Sequence, residues 1–293
     1  MSTVGRARLQ LLTAALLFSS GGAAIKVCTL SNWQIACFRS ALAALLFLIV
    51  LPAARPPWAG RTLAVGAAYA TMLVLFVTGS KLTTAANTIF LQSTAPLYVA
   101  LLGPRMLGER TTRRDLGFML ALAVGLVLVL SDARLPSSTA PRPELGNLLA
   151  AATGPALAIT LIGLRAAGTH TARGTSPEGA IACGNVLACV ACLPSALPVP
   201  QAGVADWLTV GFLGLFQVGF AYVLVTRAVR HLRALETALL LLLEPALNPV
   251  WTWLVHGEVP GPLALAGGSL ILGATALNAA TATADPFPVS RHP

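Results

Sequence analysis

One pattern occurs twice in this chain, as AANTIFLQSTAPLYVALLGPRMLGERTTRRDL at residues 85–116 and as ALETALLLLLEPALNPVWTWLVHGEVPGPLAL at residues 234–265. The two copies stand 149 residues apart. Matches between alanines or leucines arise by chance in an apolar sequence, but a proline followed at a fixed distance by Gly-Glu does not. We therefore interpret the segments as corresponding parts of an internal repeat. The identical positions are Ala85, Thr88, Leu91, Pro96, Gly108, Glu109 and Leu116 in the first copy, and Ala234, Thr237, Leu240, Pro245, Gly257, Glu258 and Leu265 in the second.

The composition around this repeat is that of a membrane protein. Of the 293 residues, 56% are hydrophobic and only 10% are charged, whereas soluble domains carry roughly 25% charged residues. The formal net charge of +9 does not indicate nucleic-acid binding, because the basic residues stand almost singly between apolar runs rather than in one patch.

Ten apolar runs approach the roughly 17–25 residues of a membrane-spanning helix. Because the runs are continuously apolar rather than alternating, a β-barrel is excluded. The sequence predicts an all-α integral membrane protein of ten transmembrane helices. The predicted spans are Leu9–Ile25, Trp33–Leu51, Leu63–Gly79, Ala85–Leu102, Leu116–Leu130, Leu145–Leu164, Ala180–Leu197, Trp207–Val225, Ala238–Val255 and Pro262–Ala279.

Lysine and arginine sort unequally between the two sides of these ten spans. The side with both termini carries 14 of them, the other side carries 4, and Arg39 lies inside a span. Cytoplasmic loops are enriched in Lys and Arg, so both termini are expected in the cytoplasm.

An odd number of spans per copy requires the second copy to be inserted upside down. The loop after span 4 is basic, while the corresponding loop after span 9 has no Lys or Arg, which agrees with opposite orientations. We expect a first repeat at 1–131, a linker at 132–144, an inverted second repeat at 145–283 and a polar tail at 284–293. Inverted repeats are typical of alternating-access transporters with a central site at the repeat interface.

The same residues carry a resemblance to a known family. Glu244-Pro245 to Gly257-Glu258, with Gly267–Gly273 after it, resembles the second half of the drug/metabolite transporter superfamily in its ten-helix EamA-type branch. The first half is similar at Arg39 and from Ala95-Pro96 to Gly108-Glu109. The resemblance implies a bacterial inner-membrane transporter with a central cavity lined by helices 1, 3, 4, 6, 8 and 9.

Span 4 has a polar stripe that predicts cavity-lining residues. At about 100° per residue, four polar residues and Leu91 share one face, and the repeat maps this face onto span 9. The alternative is ordinary packing between helices. The predicted cavity residues are Thr83, Asn87, Leu91, Thr94 and Tyr98 in span 4, Glu236, Leu240, Leu243, Leu247 and Trp251 in span 9, and Ser19, Ser20, Met72, Phe76, Gln217 and Tyr222 elsewhere.

Two ionisable residues lie within predicted spans. Glu244 is a candidate for proton coupling or for binding an amine, or it is a neutral or paired structural residue, because an isolated charge is costly at that depth. Arg39 is expected to pair with an acid or to extend toward the interface.

Prolines and glutamates recur at equivalent places in the two copies. Pro96 and Pro245 predict kinks that act as hinges or as static bends. Glu109 and Glu258 are interpreted as structural residues at helix ends, where a carboxylate offsets the dipole of the next helix.

The sequence thus predicts a secondary transporter that exports small amphipathic metabolites, with aromatic or neutral amino acids favoured by the resemblance. A phosphate-bearing solute calls for several buried basic residues, and only Arg39 lies within a span. The alternatives are a cationic drug exporter using Glu244 or Glu236, a membrane enzyme or a channel. We expect no catalytic set, metal or cofactor, no nucleic-acid partner, a small-molecule substrate, a lipid bilayer, and a monomer or homodimer.

Overall fold

The computed structural model describes residues 2–108, 113–131, 140–169, 176–199, 202–257 and 262–281, and its regular elements there are helices. Several long helices consist of consecutive pieces. The helices are α1 (Thr3–Ser19 and Gly21–Val27), α2 (Asn32–Val50), α3 (Gly60–Leu82), α4 (Ala85–Gln92 and Ala95–Leu107), α5 (Arg113–Leu130), α6 (Pro143–Thr169), α7 (Pro177–Ala196), α8 (Val204–Phe212, a π-helical turn Leu213–Phe220, and Ala221–Ala228), α9 (Ala234–Leu240 and Leu243–His256) and α10 (Pro262–Thr281), with a short 3₁₀ turn at Pro52–Ala54.

Eight of these helices, counted within the described ranges, are long and apolar enough to cross a membrane. They are α1 to α4 and α6 to α9. The predicted fifth and tenth spans correspond to α5 (Arg113–Leu130) and α10 (Pro262–Thr281), which are not among these eight. The all-helical membrane architecture is confirmed, while the count of ten spanning helices stays a prediction.

Hydrogen bonds between helix ends define two faces of the molecule. At the N-terminal face, where α1 begins, Arg8 binds Glu236 at the start of α9 with a distance of 2.9 Å. At the opposite face, the hydroxyl of Thr29 after α1 donates to Asp206 at the start of α8 over 2.7 Å. Helices α1 and α9 therefore begin at the N-terminal face, and α8 begins at the opposite face.

The packing of the helices has the symmetry of a repeat. Helix α1 packs on α8 and α9, and α6 packs on α3 and α4. If each helix is exchanged with the one five places away in the chain, α1 becomes α6, α8 becomes α3 and α9 becomes α4. The first set of contacts then becomes the second. The pairs α2–α7, α4–α9 and α5–α10 map onto themselves, and each pair is in contact. The structure thus consists of two equivalent units of five helices.

The repeated Pro and Gly positions have equivalent structures in α4 and α9. Both helices break immediately before the proline-containing piece, at residues 93–94 and 241–242. Proline is tolerated in the first turn of each second piece, where its missing N–H leaves no helix bond unmade. Each piece ends on a left-handed glycine, Gly108 at φ 69° and Gly257 at φ 65°, a conformation that favours glycine.

Candidate functional site: a central cavity

A cavity lies between the two units, away from both faces. Helices α1, α2, α3, α4, α6, α8 and α9 contribute to it, which adds α2 to the set that the resemblance implied. Its lining is Phe18, Arg39, Met72, Leu73, Phe76, Ile89, Gln92, Ser93, Ala95, Pro96, Leu157, Leu161, Gln217, Val218, Tyr222, Ala238, Leu241, Leu242, Glu244 and Pro245.

The cavity is narrow in this conformation. The cavity volume that is open to the centres of water molecules is about 50 Å³. One water molecule needs roughly 10–15 Å³ of such volume. There is room for a few waters, which is less than a metabolite with an aromatic side chain requires. Binding such a solute therefore requires the surrounding helices to move apart.

Arg39 projects from the middle of α2 and is 1% exposed. Its Nη2 donates to the carbonyl of Leu73 over a long 3.4 Å, and its Nε and Nη1 have no hydrogen-bond partner among the described residues. Arg39 neither pairs with an acid of the described residues nor extends outward in this structure. One reason is that α8 closes over α2 at this level, where a Cβ on Gly214 would lie 2.8 Å from the carbonyl oxygen of Arg39.

Aromatic side chains form one wall beside Arg39. The rings of Phe18 and Tyr222 are 5.0 Å apart, and Tyr222 meets Tyr69 edge-on at 4.7 Å. Both tyrosines lie close enough to Arg39 for electrostatic interaction. Offset and edge-on ring pairs of this kind are favourable contacts, so the three rings pack together as a mostly apolar wall.

Glu244 lies at the start of the second piece of α9 and is 8% exposed. It interacts electrostatically with Tyr222, and no Lys or Arg of the described residues lies within ion-pair distance of it. A carboxyl group at membrane depth needs a cation, a proton or a polar surrounding. Glu244 and Arg39 therefore line one cavity as two unpaired ionisable groups.

Part of the predicted site comes together in this cavity. The predicted residues that line it are Met72, Phe76, Gln217, Tyr222, Arg39, Glu244, Pro96 and Pro245. Sequence reasoning missed Gln92 and Ser93, which stand just before Pro96. The usable signal was the proline itself, since a break before it turns the preceding residues toward the cavity.

The predicted stripe of α4 faces α6 instead of the cavity. The hydroxyl of Thr83 donates to Asn147 over 2.8 Å, and the amide of Asn87 donates to the same oxygen over 3.2 Å. Thr94 packs against Gly154, and neither it nor Leu91 is part of the cavity lining. Thr83 and Asn87 precede the break of α4 at residues 93–94, so the stripe serves packing between helices, the alternative that the sequence left open.

Tyr98, the last residue of that predicted stripe, lies beyond the break. Its side chain is 36% exposed and is not part of the cavity lining. Because Tyr98 follows the break, the helical register of residues 85–92 does not fix its direction.

The predicted stripe of α9 also lies outside the cavity. Glu236 is bound by Arg8 at the N-terminal face. The residues Leu240, Leu243 and Leu247 are not in the cavity lining, whereas Leu241 and Leu242 at the break are.

Ser19, Ser20 and Trp251 belong to a different place. The indole nitrogen of Trp251 donates to the hydroxyl of Ser19 over 2.9 Å. Ser20 and Trp251 line a lateral groove between α1, α8 and α9 near the opposite face. Glu109 and Glu258 lie outside the described residues.

Two polar contacts occupy equivalent places at the two faces. Glu236 of α9 corresponds to Asn87 of α4 at the repeat offset, and their partners Arg8 and Asn147 lie on the equivalent helices α1 and α6. We call Arg8–Glu236 the ionic latch and Thr83–Asn87–Asn147 the amide latch. Each latch joins the two units at one face, so the central cavity is tied on both sides.

These features define a class of protein: a multi-spanning membrane protein of two equivalent helical units with a cavity between them. The sequence model of the EamA-like transporter family matches residues 6–131 and again residues 145–280. The chain belongs to the EamA-like transporter family.

The fold is also found in a solved crystal structure. That protein is 21% identical, with a TM-score of 0.71 over 95% of this chain and 98% of that one. At this identity the likeness concerns the fold alone. No curated protein sequence matches the chain.

Proposed function

We propose that the protein is a secondary transporter that exports small amphipathic metabolites, with aromatic or neutral amino acids as the substrate class. The observation that carries the proposal is the lining of the central cavity, which is apolar and aromatic except for one guanidinium, one carboxyl group and a few uncharged polar groups. Within the family, we propose the bacterial aromatic amino-acid exporter YddG as the model for this activity. Phosphate esters are disfavoured because Arg39 is the one basic residue of the cavity lining.

The two latches suggest how the cavity opens. Breaking the ionic latch while the amide latch holds opens the cavity to the N-terminal face, and the reverse opens it to the opposite face. The breaks before Pro96 and Pro245 supply points where α4 and α9 can bend. This is alternating access between two inverted units, 1–131 and 145–283, joined by the linker at 132–144 and followed by the tail at 284–293. The membrane we propose is the bacterial inner membrane, with both termini cytoplasmic.

The test is transport by the purified full chain in proteoliposomes. We expect saturable uptake of labelled L-phenylalanine that accelerates when unlabelled phenylalanine is present on the other side. Stimulation from the other side distinguishes a carrier from a channel. The absence of any phenylalanine flux, with the protein correctly inserted, would contradict the proposal.

Glu244 favours a second candidate, an exporter of cationic drugs. An unpaired carboxyl group in an aromatic cavity is a suitable counter-charge for a quaternary amine. Glu236, the other residue considered for this role, is bound by Arg8. Uptake of tetraphenylphosphonium without uptake of phenylalanine would select this candidate over the amino-acid exporter.

A further inference from the structure

Arg39 has most of its hydrogen-bonding capacity unused. A guanidinium has five N–H donors and stays charged, yet the one hydrogen bond that Arg39 makes among the described residues is the long contact with the carbonyl of Leu73. Its Nε and Nη1 are buried and unpartnered within the described residues, and the side chain lines the cavity. A charge held this way in an apolar environment is a site that requires an anion.

Acceptor groups lie on other walls of the same cavity. The side-chain oxygens of Gln92 on α4 and Gln217 on α8 are buried without a hydrogen-bond partner in the described part of the chain. Glu244 on α9 adds a carboxyl group. Unused donors thus come from α2, and unused acceptors come from α4, α8 and α9.

We propose that Arg39 binds the carboxylate of a zwitterionic amino acid and that Glu244, with the oxygens of Gln92 and Gln217, receives its ammonium group. This inference rests on the proposed function and assigns the orientation of the solute within it. The planar fork of a guanidinium matches a carboxylate with two parallel hydrogen bonds. The zwitterion supplies in one molecule both charges that the cavity lacks.

The rest of the lining determines the side chain of the solute. Phe18, Met72 and Phe76 face the cavity with Leu157 and Leu161. These groups offer dispersion contacts and an aromatic edge but no further charge. An amino acid with an uncharged, apolar or aromatic side chain satisfies the cavity, whereas one with a charged side chain leaves that charge unpaired.

The first experiment compares ligands on the unchanged protein, so it does not depend on a variant that folds. Displacement of labelled L-phenylalanine is measured with phenethylamine, which lacks the carboxylate, and with 3-phenylpropionate, which lacks the ammonium group. A lost charged hydrogen-bond pair weakens binding by about ten- to hundredfold, and we expect this for both analogues. Phenethylamine binding within about twofold of phenylalanine would overturn the assignment of Arg39.

The second experiment substitutes the arginine. Arg39→Gln is expected to weaken phenylalanine binding by about ten- to hundredfold while leaving phenethylamine binding nearly unchanged, and Arg39→Lys is expected to fall between. The control is Arg55→Gln, which alters an exposed arginine that bonds the carbonyls of Leu48 and Ile49. Equal weakening of both ligands by Arg39→Gln would indicate a structural role and overturn the proposal.

Different results would contradict the proposed function and the assignment of Arg39. Transport of a quaternary cation without phenylalanine transport would overturn the proposed function, and the Arg39 assignment with it. The protein could instead transport phenylalanine and be inhibited by phenethylamine and phenylpropionate as strongly as by unlabelled phenylalanine. That result would overturn only the Arg39 assignment.

Discussion

Arg39 and Glu244 are both buried in the central cavity and do not neutralise one another. Burying an ionised group without a partner is unfavourable by several kcal/mol, so their retention in an apolar lining is explained best by a ligand that carries both opposite charges. Tyr69 and Tyr222 lower this penalty only in part, because a hydroxyl offers a dipole rather than a charge.

The first prediction concerns Glu244. Glu244→Gln keeps the shape of the side chain and removes its negative charge, so phenylalanine binding should weaken by about tenfold. Labelled-ligand displacement measures the effect. Glu144→Gln, at an exposed position near the start of α6, is the matched control and should bind normally. An unaffected Glu244→Gln variant would remove Glu244 from the site.

A second prediction separates binding from energy coupling at the same residue. If Glu244 carries a proton in each cycle, a proton gradient accelerates flux through the unchanged protein and has no effect on Glu244→Gln. Flux in proteoliposomes with and without an imposed gradient measures this. Equal stimulation of both proteins would show that another group couples to protons.

At this scale the sequence identified the charged residues and missed some uncharged ones. Arg39 and Glu244 are conspicuous because ionisable residues are rare in spans, and both line the cavity. Gln92 and Ser93 were missed because they face the cavity at a helix break, and neither residue type predicts a break. Gln217, in the π-helical turn of α8, was predicted as a cavity residue and lines the cavity.

Helices α4 and α9 are the elements that connect the cavity to both faces. Their repeated Pro and Gly-Glu pattern was visible in the sequence, and the structure places the helix breaks and the left-handed glycines at equivalent positions. The faces of these helices were not settled by the sequence, because polar residues on one side of a membrane helix line a cavity or pack against a neighbouring helix. In α4 the polar stripe packs on α6.

The third prediction concerns the ionic latch. Glu236→Gln removes the charge that holds Arg8, and a partly buried ion pair of this kind contributes about 1 kcal/mol. The cavity should open to the N-terminal face roughly fivefold more often. To measure the opening, the native cysteines are replaced and a single cysteine is placed at Leu161. An impermeant maleimide is then added at the N-terminal face, and its rate of labelling is followed.

The control for this experiment breaks another ion pair at the same face. Glu178→Gln releases Arg230, a pair with a distance of 2.7 Å that joins α7 to the segment after α8 and involves neither latch helix. It should leave the labelling rate unchanged. High salt should raise the labelling rate of the unchanged protein and not that of Glu236→Gln, because salt screens an ionic contact.

The fourth prediction concerns the crossing of α3 and α7. A Cβ on Gly184 would lie 2.6 Å from the carbonyl oxygen of Gly66 and from a ring carbon of Tyr69, so Gly184→Ala forces the helices apart and should cost about 1–3 kcal/mol of stability. Gly211→Ala, where nothing lies within 4 Å of the added carbon, is the control. Thermal unfolding in detergent should show a lower midpoint for Gly184→Ala alone.

The whole molecule is organised by its repeat. Duplication was readable from the spacing of Pro and Gly-Glu, and the exchange of equivalent helices accounts for the contacts among the described helices. The two latches occupy equivalent places but differ in chemistry, one ionic and one of neutral amides and a hydroxyl. Salt should therefore weaken the ionic latch more than the amide latch.

The central claim is that one cavity opens to the two faces in turn, and locking each latch tests it most directly. In a protein without native cysteines, one variant joins cysteines at positions 8 and 236, and another joins cysteines at 87 and 147, with a bifunctional thiol linker. Each link should stop phenylalanine exchange. A spectroscopic probe on a cysteine at Met72 should then be quenched only by agents added at the unlinked face. Exchange that continues with either link in place would contradict the account.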